Sequence, residues 1–204
     1  TFNVREFKSL TSPYDQVEYA QSHLRGLGSG SGRQVFLLSS KKVLKLAHPG
    51  GKSHHQGIVQ NKAELENSKL IPALVTKVFE QAPDSSWLIS ELIRPLTDKT
   101  EFAKLTGLEF DKLLEFYEVA SLDDFNWEEV WQHARSNGLK FVPEFLQRLR
   151  RWPAFFDLLK LAKQGTNRLA IGDFSIIYHW GKTADGRVVL LDHGATEENM
   201  GIFH

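Results

Sequence analysis

The 204-residue chain contains no cysteine. Disulfides, thiolate nucleophiles and thiolate metal sites are therefore excluded. It also lacks an excess of charge of either sign, because 25 basic and 25 acidic side chains cancel. No global field draws such a chain to nucleic acid or to a membrane surface, although a local patch stays open. No apolar run approaches the ~20 residues needed to span a bilayer. The opening TFNVREFKSL has no signal-peptide core, so no membrane partner and a cytoplasmic location are expected. There is no initiator methionine at Thr1, which reads as excision from something longer. What is present is ordinary for a globular protein: 41% of residues are hydrophobic, with enough chain for one domain or two small lobes.

The patterning changes character along the chain. DQVEYAQSHLRGL has a weak helical pattern. RQVFLLSS and KKVLKLA are short apolar runs that read as a hairpin. HPGGKSHHQG is polar and glycine-rich and reads as a solvated loop rather than a histidine metal site. IVQNKAELENSKL places Ile58, Ala63, Leu65 and Leu70 on a rough helical face. ALVTKVFEQ and SSWLISELI are two more strands around the turn APDSS, which completes a small sheet carrying one helix. From Asp98 the pattern turns helical, through TEFAKLTG, EFDKLLEFYEVA, NWEEVWQHARSNG, PEFLQRLRRW and PAFFDLLKLAKQG. The basic and aromatic residues of LRRWPAFFDLLKL read as an amphipathic helix with its aromatics in the core, not as a nucleic-acid surface. Strand character returns in RLAIGDFSIIYHWGKTADGRVVLLDHG, where ADGR turns IIYHWGK into VVLLD. The class expected is α+β, with a β-rich part over residues 1–95 and a reduced, mainly helical part over 96–204.

Three clusters carry possible chemistry. GSGSG, residues 28–32, resembles a flexible linker by composition. Just before an apolar strand it also suits a loop whose backbone lies over phosphates. Lys45 is the one charge inside VLKLA. An edge-strand lysine reaching water is the bland alternative, but a lysine one strand after a glycine loop can meet a phosphate. A helix carboxylate can then hold it; Glu64 and Glu66 are the candidates, and Glu64, mid-helix, is preferred. Finally, Asp173 and Asp192 flank one hairpin. Asp favours strand ends for turn reasons, yet Asp192, ahead of His193 and Gly194, is also well placed to hold a divalent cation.

The order of glycine loop, strand lysine, helix glutamate, apolar connector, helices, Gly172-Asp173 and LLDHG resembles the protein-kinase-like fold. The likeness is greatest to small bacterial and phage kinase-like proteins and to the aminoglycoside and choline phosphotransferase branch, and it spans roughly residues 25–197. The resemblance implies a two-lobed fold that uses ATP and Mg²⁺. Gly28, Ser29, Gly30, Ser31, Gly32 and Val35 would cover the nucleotide. Lys45, paired with Glu64, would contact the α- and β-phosphates. Backbone groups of Glu91 to Ile93 would meet adenine. Asp173 would accept the substrate hydroxyl proton, and Asp192 would hold the metal.

Three departures bear on these expectations. The glycines are spaced G-x-G-x-G rather than G-x-G-x-x-G. The place of the family's second metal ligand, an Asn, falls on Tyr178, or on His179 with a one-residue insertion; imidazole is a poorer Mg²⁺ ligand. The chain stops twelve residues after Asp192, which weakens the case for a peptide substrate. The first expectation is phosphoryl transfer to a hydroxyl of a protein or small molecule. The alternatives are a pseudokinase that binds a protein partner, and transfer of AMP by the same kind of site.

Overall fold

The structure, a computed structural model, describes residues 1–120, 143–163 and 174–193, together with Asn126, Glu128, Gln132 and Ser136. Two short helices come first, α1 (Val4–Ser9) and α2 (Pro13–His23). Asn3 caps the first by accepting from the N–H groups of Arg5 and Glu6. Ser12 caps the second, with Pro13 in its first turn, where a missing N–H costs nothing.

Five strands then form one antiparallel sheet: β1 (Arg25–Ser29), β2 (Arg33–Ser39), β3 (Lys42–Ala47), β4 (Val78–Gln81) and β5 (Trp87–Glu91), in the order β1-β2-β3-β5-β4. Side chains alternate across a strand, so β3 serves two masters. Leu44 and Leu46 join Phe7, Val17, Ala20, Phe36 and Trp87 in a core under α1 and α2. Val43 and Lys45 line a cleft on the other face.

Helix α3 (Gly51–Leu70) crosses that second face. It differs from expectation twice. It begins six residues before Gly57, so most of HPGGKSHHQG is helix rather than loop; the turn that launches it is confined to Gly50 and Gly51, both at positive φ. Its buried residues are Gly57, Asn61, Glu64 and Asn67, not the apolar set read from the sequence, of which Leu70 is exposed. The polar stripe wins because it meets charged partners from β2, β3 and the chain's far end.

The second part is mainly helical: α4 (Lys99–Thr106), α5 (Phe110–Ala120), α6 (Pro143–Leu149) and α7 (Phe155–Lys163). Asp98 caps α4, and Gly107 closes it in the left-handed conformation. These helices share a core with Phe174 and Trp180, and the Trp180 indole N–H donates to the Phe174 carbonyl. In LRRWPAFFDLLKL, Trp152 and Phe155 are buried as expected, whereas Phe156 is 67% exposed. The helix read from NWEEVWQHARSNG falls almost wholly outside the described residues.

Three short strands, β6 (Arg94–Pro95), β7 (Trp180–Lys182) and β8 (Val188–Leu190), make a second antiparallel sheet. The hairpin turn lies where ADGR was read, with Gly186 at φ +88°. The strand expected over IIYH is instead a 3₁₀ turn, Ile177–His179, and β7 starts only at Trp180. Leu190 exchanges backbone hydrogen bonds with Leu74 and Thr76 at 2.8 and 3.1 Å. That junction carries the end of β8 beneath α3. Among the described residues no helix is long and apolar enough to cross a membrane.

Candidate functional site

GSGSG is no linker: it is the end of β1 and the turn into β2. The Gly30 N–H donates to the Arg33 carbonyl at 2.9 Å, and Gly28 lies opposite Val35. His48, one residue past β3, holds the turn, since its N–H donates to the Gly32 carbonyl and its Nε2 lies 2.8 Å from the Gly30 carbonyl. The glycines differ in what they face. A Cβ on Gly32 would meet Gln60 and the backbone of Gly57 within 3 Å, so that glycine is required by the approach of α3. A Cβ on Gly28 or Gly30 would meet nothing within 4 Å. Ser29 and Ser31 are exposed on the same turn.

Below the turn lies a cleft of about 220 Å³. Leu27, Val35, Val43, Ile93 and Leu191 supply apolar walls, and Arg33, Lys45 and Asp192 form a charged end. Ser90 is wholly buried there, and among the described residues its hydroxyl has no hydrogen-bond partner. The expected hinge, Glu91 to Ile93, does border the cleft. Two of its N–H groups are engaged within the fold, Glu91 with the Lys77 carbonyl and Leu92 with that of Lys41. Gly181 lets β7 pass directly under this segment, because a Cβ there would stand 2.3 Å from Ile93.

The charged end is a network. Lys45 Nζ lies 2.8 Å from both oxygens of Glu64 and 3.1 Å from the Leu191 carbonyl. Glu64 is fully buried and also takes the Arg33 guanidinium, 2.7 Å from Oε1. Arg33 continues to Asp192 Oδ1 at 2.8 Å and to Asn61 Oδ1 at 3.2 Å. Burial alone would raise the Glu64 carboxyl; Arg33 and Lys45 overcome this and hold it below its ordinary value. Asp192 is only half-buried; its partial loss of solvent would raise it, and Arg33, Lys45, His193 and His179 bring it down to about 2. Burial would strip the charge from Arg33, but Glu64 and Asp192 keep it protonated.

Behind this network sits His193, wholly buried. Its Nε2 lies 2.9 Å from the Thr76 hydroxyl, and its carbonyl accepts from the Asn67 amide at 2.7 Å. Burial is the main cause that pushes its imidazole down to about 4.

Of the residues singled out from sequence, Lys45, Glu64, Asp192, Val35, Glu91 and Ile93 come together around one cleft, with the glycine turn at its rim. His179 is near enough to Asp192 for its charge to be felt there, and its carbonyl accepts from the Leu191 N–H. Among the described residues no group of three or more His, Asp and Glu side chains is placed to hold a metal ion. Asp173 and Gly194 lie outside the described residues. Glu66, the rejected candidate, is exposed. Sequence reasoning missed Arg33, Asn61, Asn67, Thr76 and His193. A signal for some was present: Asn61, Glu64 and Asn67 recur at three-residue spacing inside an otherwise unremarkable helix.

No protein-family model matches the chain, and no curated protein does. Among solved structures it is similar to the streptomycin–ATP–APH(2″)-IIa ternary complex, at 14% identity and a TM-score of 0.42, over 95% of this chain and 71% of the other.

Proposed function

We propose that the chain is a reduced protein-kinase-like domain, with its lobes meeting near residue 95, that binds ATP in this cleft and transfers its terminal phosphate to a hydroxyl. The observation that carries the reading is the buried Lys45–Glu64 pair, set at the end of an apolar slot and under an open glycine turn. The slot suits a purine, and the Ser90 hydroxyl lining it, without a hydrogen-bond partner among the described residues, is a polar group in need of a ligand. Lys45 is oriented by Glu64 and supplies a fixed positive charge to the phosphates. Gly28 and Gly30 leave room for phosphate oxygens to approach the backbone. Asp173 is the residue assigned to take the substrate proton. Catalysis of this kind is positioning and electrostatics rather than covalent chemistry by the protein.

A second reading, a nucleotide-binding module that regulates a protein partner, is favoured by one observation: the carboxylate assigned to Mg²⁺, Asp192, carries the Arg33 guanidinium.

Millimolar ATP is expected to raise the melting temperature, since a ligand selective for the folded state must stabilise it. No rise defeats both readings. Incubation with γ-labelled ATP and hydroxyl-bearing substrates then separates them: transfer of label supports the phosphotransferase, and binding without transfer supports the module. Label transferred from α-labelled ATP would identify AMP transfer instead.

A further inference from the structure

Arg33 is a fixed part of the site. Its side chain is 6% exposed, and its guanidinium spans Glu64 Oε1 at 2.7 Å and Asp192 Oδ1 at 2.8 Å. Asn61 steadies it from a third side and is itself held by donating to the Ser85 carbonyl at 2.8 Å. Lys45 and Arg33 thus face Glu64 and Asp192, and the four formal charges cancel with no added ion. Without Arg33, one negative charge would be left over at Asp192, whose side chain is 49% exposed to the cleft.

We propose that Arg33 is the resident cation of the site and sets its metal requirement. The guanidinium and a divalent cation compete for the Asp192 carboxylate, so the metal binds there only when Arg33 is off it. A divalent ion at ~2.1 Å from a carboxylate oxygen would stand within a few ångströms of a guanidinium bonded to the same carboxylate. Like charges at that range in a partly dry site repel strongly. Nor is the arginine easily moved, because leaving Asp192 while buried strips it of a charge partner. The inference rests on the cleft being a nucleotide site, but its test contains no nucleotide, so its failure is distinguishable from the failure of that reading.

The experiment is titration with Mn²⁺ alone, reading free Mn²⁺ by electron paramagnetic resonance. Arg33→Gln is expected to bind Mn²⁺ at least tenfold more tightly than the unaltered protein. The gain should vanish in Arg33→Gln/Asp192→Asn, and Arg33→Lys, which keeps the charge, should stay near the unaltered protein. Equal affinity with and without Arg33, no binding by a folded Arg33→Gln, or a gain that survives loss of Asp192 overturns the proposal. Should circular dichroism show Arg33→Gln unfolded, the unaltered protein and Asp192→Asn decide: micromolar Mn²⁺ binding that depends on Asp192 overturns it, and no such binding below the millimolar range supports it.

Discussion

Glu64 is where the charges of the site converge, and it is the least replaceable residue in it. It neutralises Lys45 through both oxygens and Arg33 through one, while itself wholly buried. Losing Lys45 or Arg33 is not equivalent to losing Glu64, because Glu64 keeps one cation when the other goes. Removing Glu64's charge instead leaves two buried cations with only Asp192 to balance them, and Lys45 without its ion pair. Glu64→Gln is therefore expected to cost about 3–5 kcal/mol of stability, the range for a buried charge stripped of its partner. Lys45→Met should cost roughly half as much or less, since its alkyl replacement fills the same space among Val35 and Val43. Urea unfolding of the two variants checks the order, and a Lys45→Met variant less stable than Glu64→Gln would contradict the convergence described. Lys45 could be picked out in the sequence because it is anomalous locally, a lone charge in the apolar run VLKLA; Glu64 is an ordinary helix residue and is reached only as the mid-helix carboxylate able to hold that lysine. Arg33 is not anomalous, since the first residue of a strand is commonly charged and solvated. Only the approach of Glu64 and Asn61 from α3, and of Asp192, 159 residues later, makes it a buried cation.

At the scale of elements, strands and hairpins were readable because alternation and turn residues are local, and β2, β3, β5 and the β7–β8 turn lie where the pattern put them. Helix α3 was half readable. Its existence followed from periodicity, but its orientation did not, because apolar periodicity assumes that the buried face is apolar. Here the buried face is a polar seam matched to a charged network. The seam also fixes how closely the helix approaches the sheet. Gly57 lies against the glycine turn, and a Cβ there would stand 2.3 Å from the Gly32 carbonyl and 2.7 Å from the Ala47 Cβ. Alanine for glycine inside an exposed helix stabilises by about 1 kcal/mol. Gly57→Ala should reverse that sign and destabilise by roughly 1–3 kcal/mol, because two backbones would have to part. Exposed Ser53→Ala in the same helix is the control and should be neutral or slightly stabilising. A stabilised Gly57→Ala in urea unfolding would mean that α3 does not pack on the turn as described.

At the scale of the whole molecule, the end of the described chain closes the fold. Leu190 bonds to Leu74 and Thr76, Asp192 to Arg33, and the His193 carbonyl to Asn67, so β8 and the residues after it clamp α3 and the sheet from below. None of this was legible in the sequence, where LLDHG offered an aspartate for a metal and a histidine without a role. His193 makes the closure sensitive to acid. Its imidazole is held down to about 4, chiefly by burial, against about 6.5 in an unfolded chain. Between those values the unfolded state binds more protons than the folded one, so stability must fall as pH drops through the window. The stabilisation is complete above about pH 6.5. About 3 kcal/mol is lost by pH 4, at 1.36 kcal/mol per pH unit. Asp192 acts lower: its carboxyl, at about 2, contributes stability above about pH 4 that disappears only as pH falls towards 2, so the two effects separate. Urea midpoints measured in EDTA from pH 8 to pH 4 should therefore decline, and His193→Gln, whose amide can still reach Thr76, should flatten the slope between pH 6.5 and 4. An unchanged slope in that variant would remove His193 as the cause and place the acid sensitivity elsewhere in the fold.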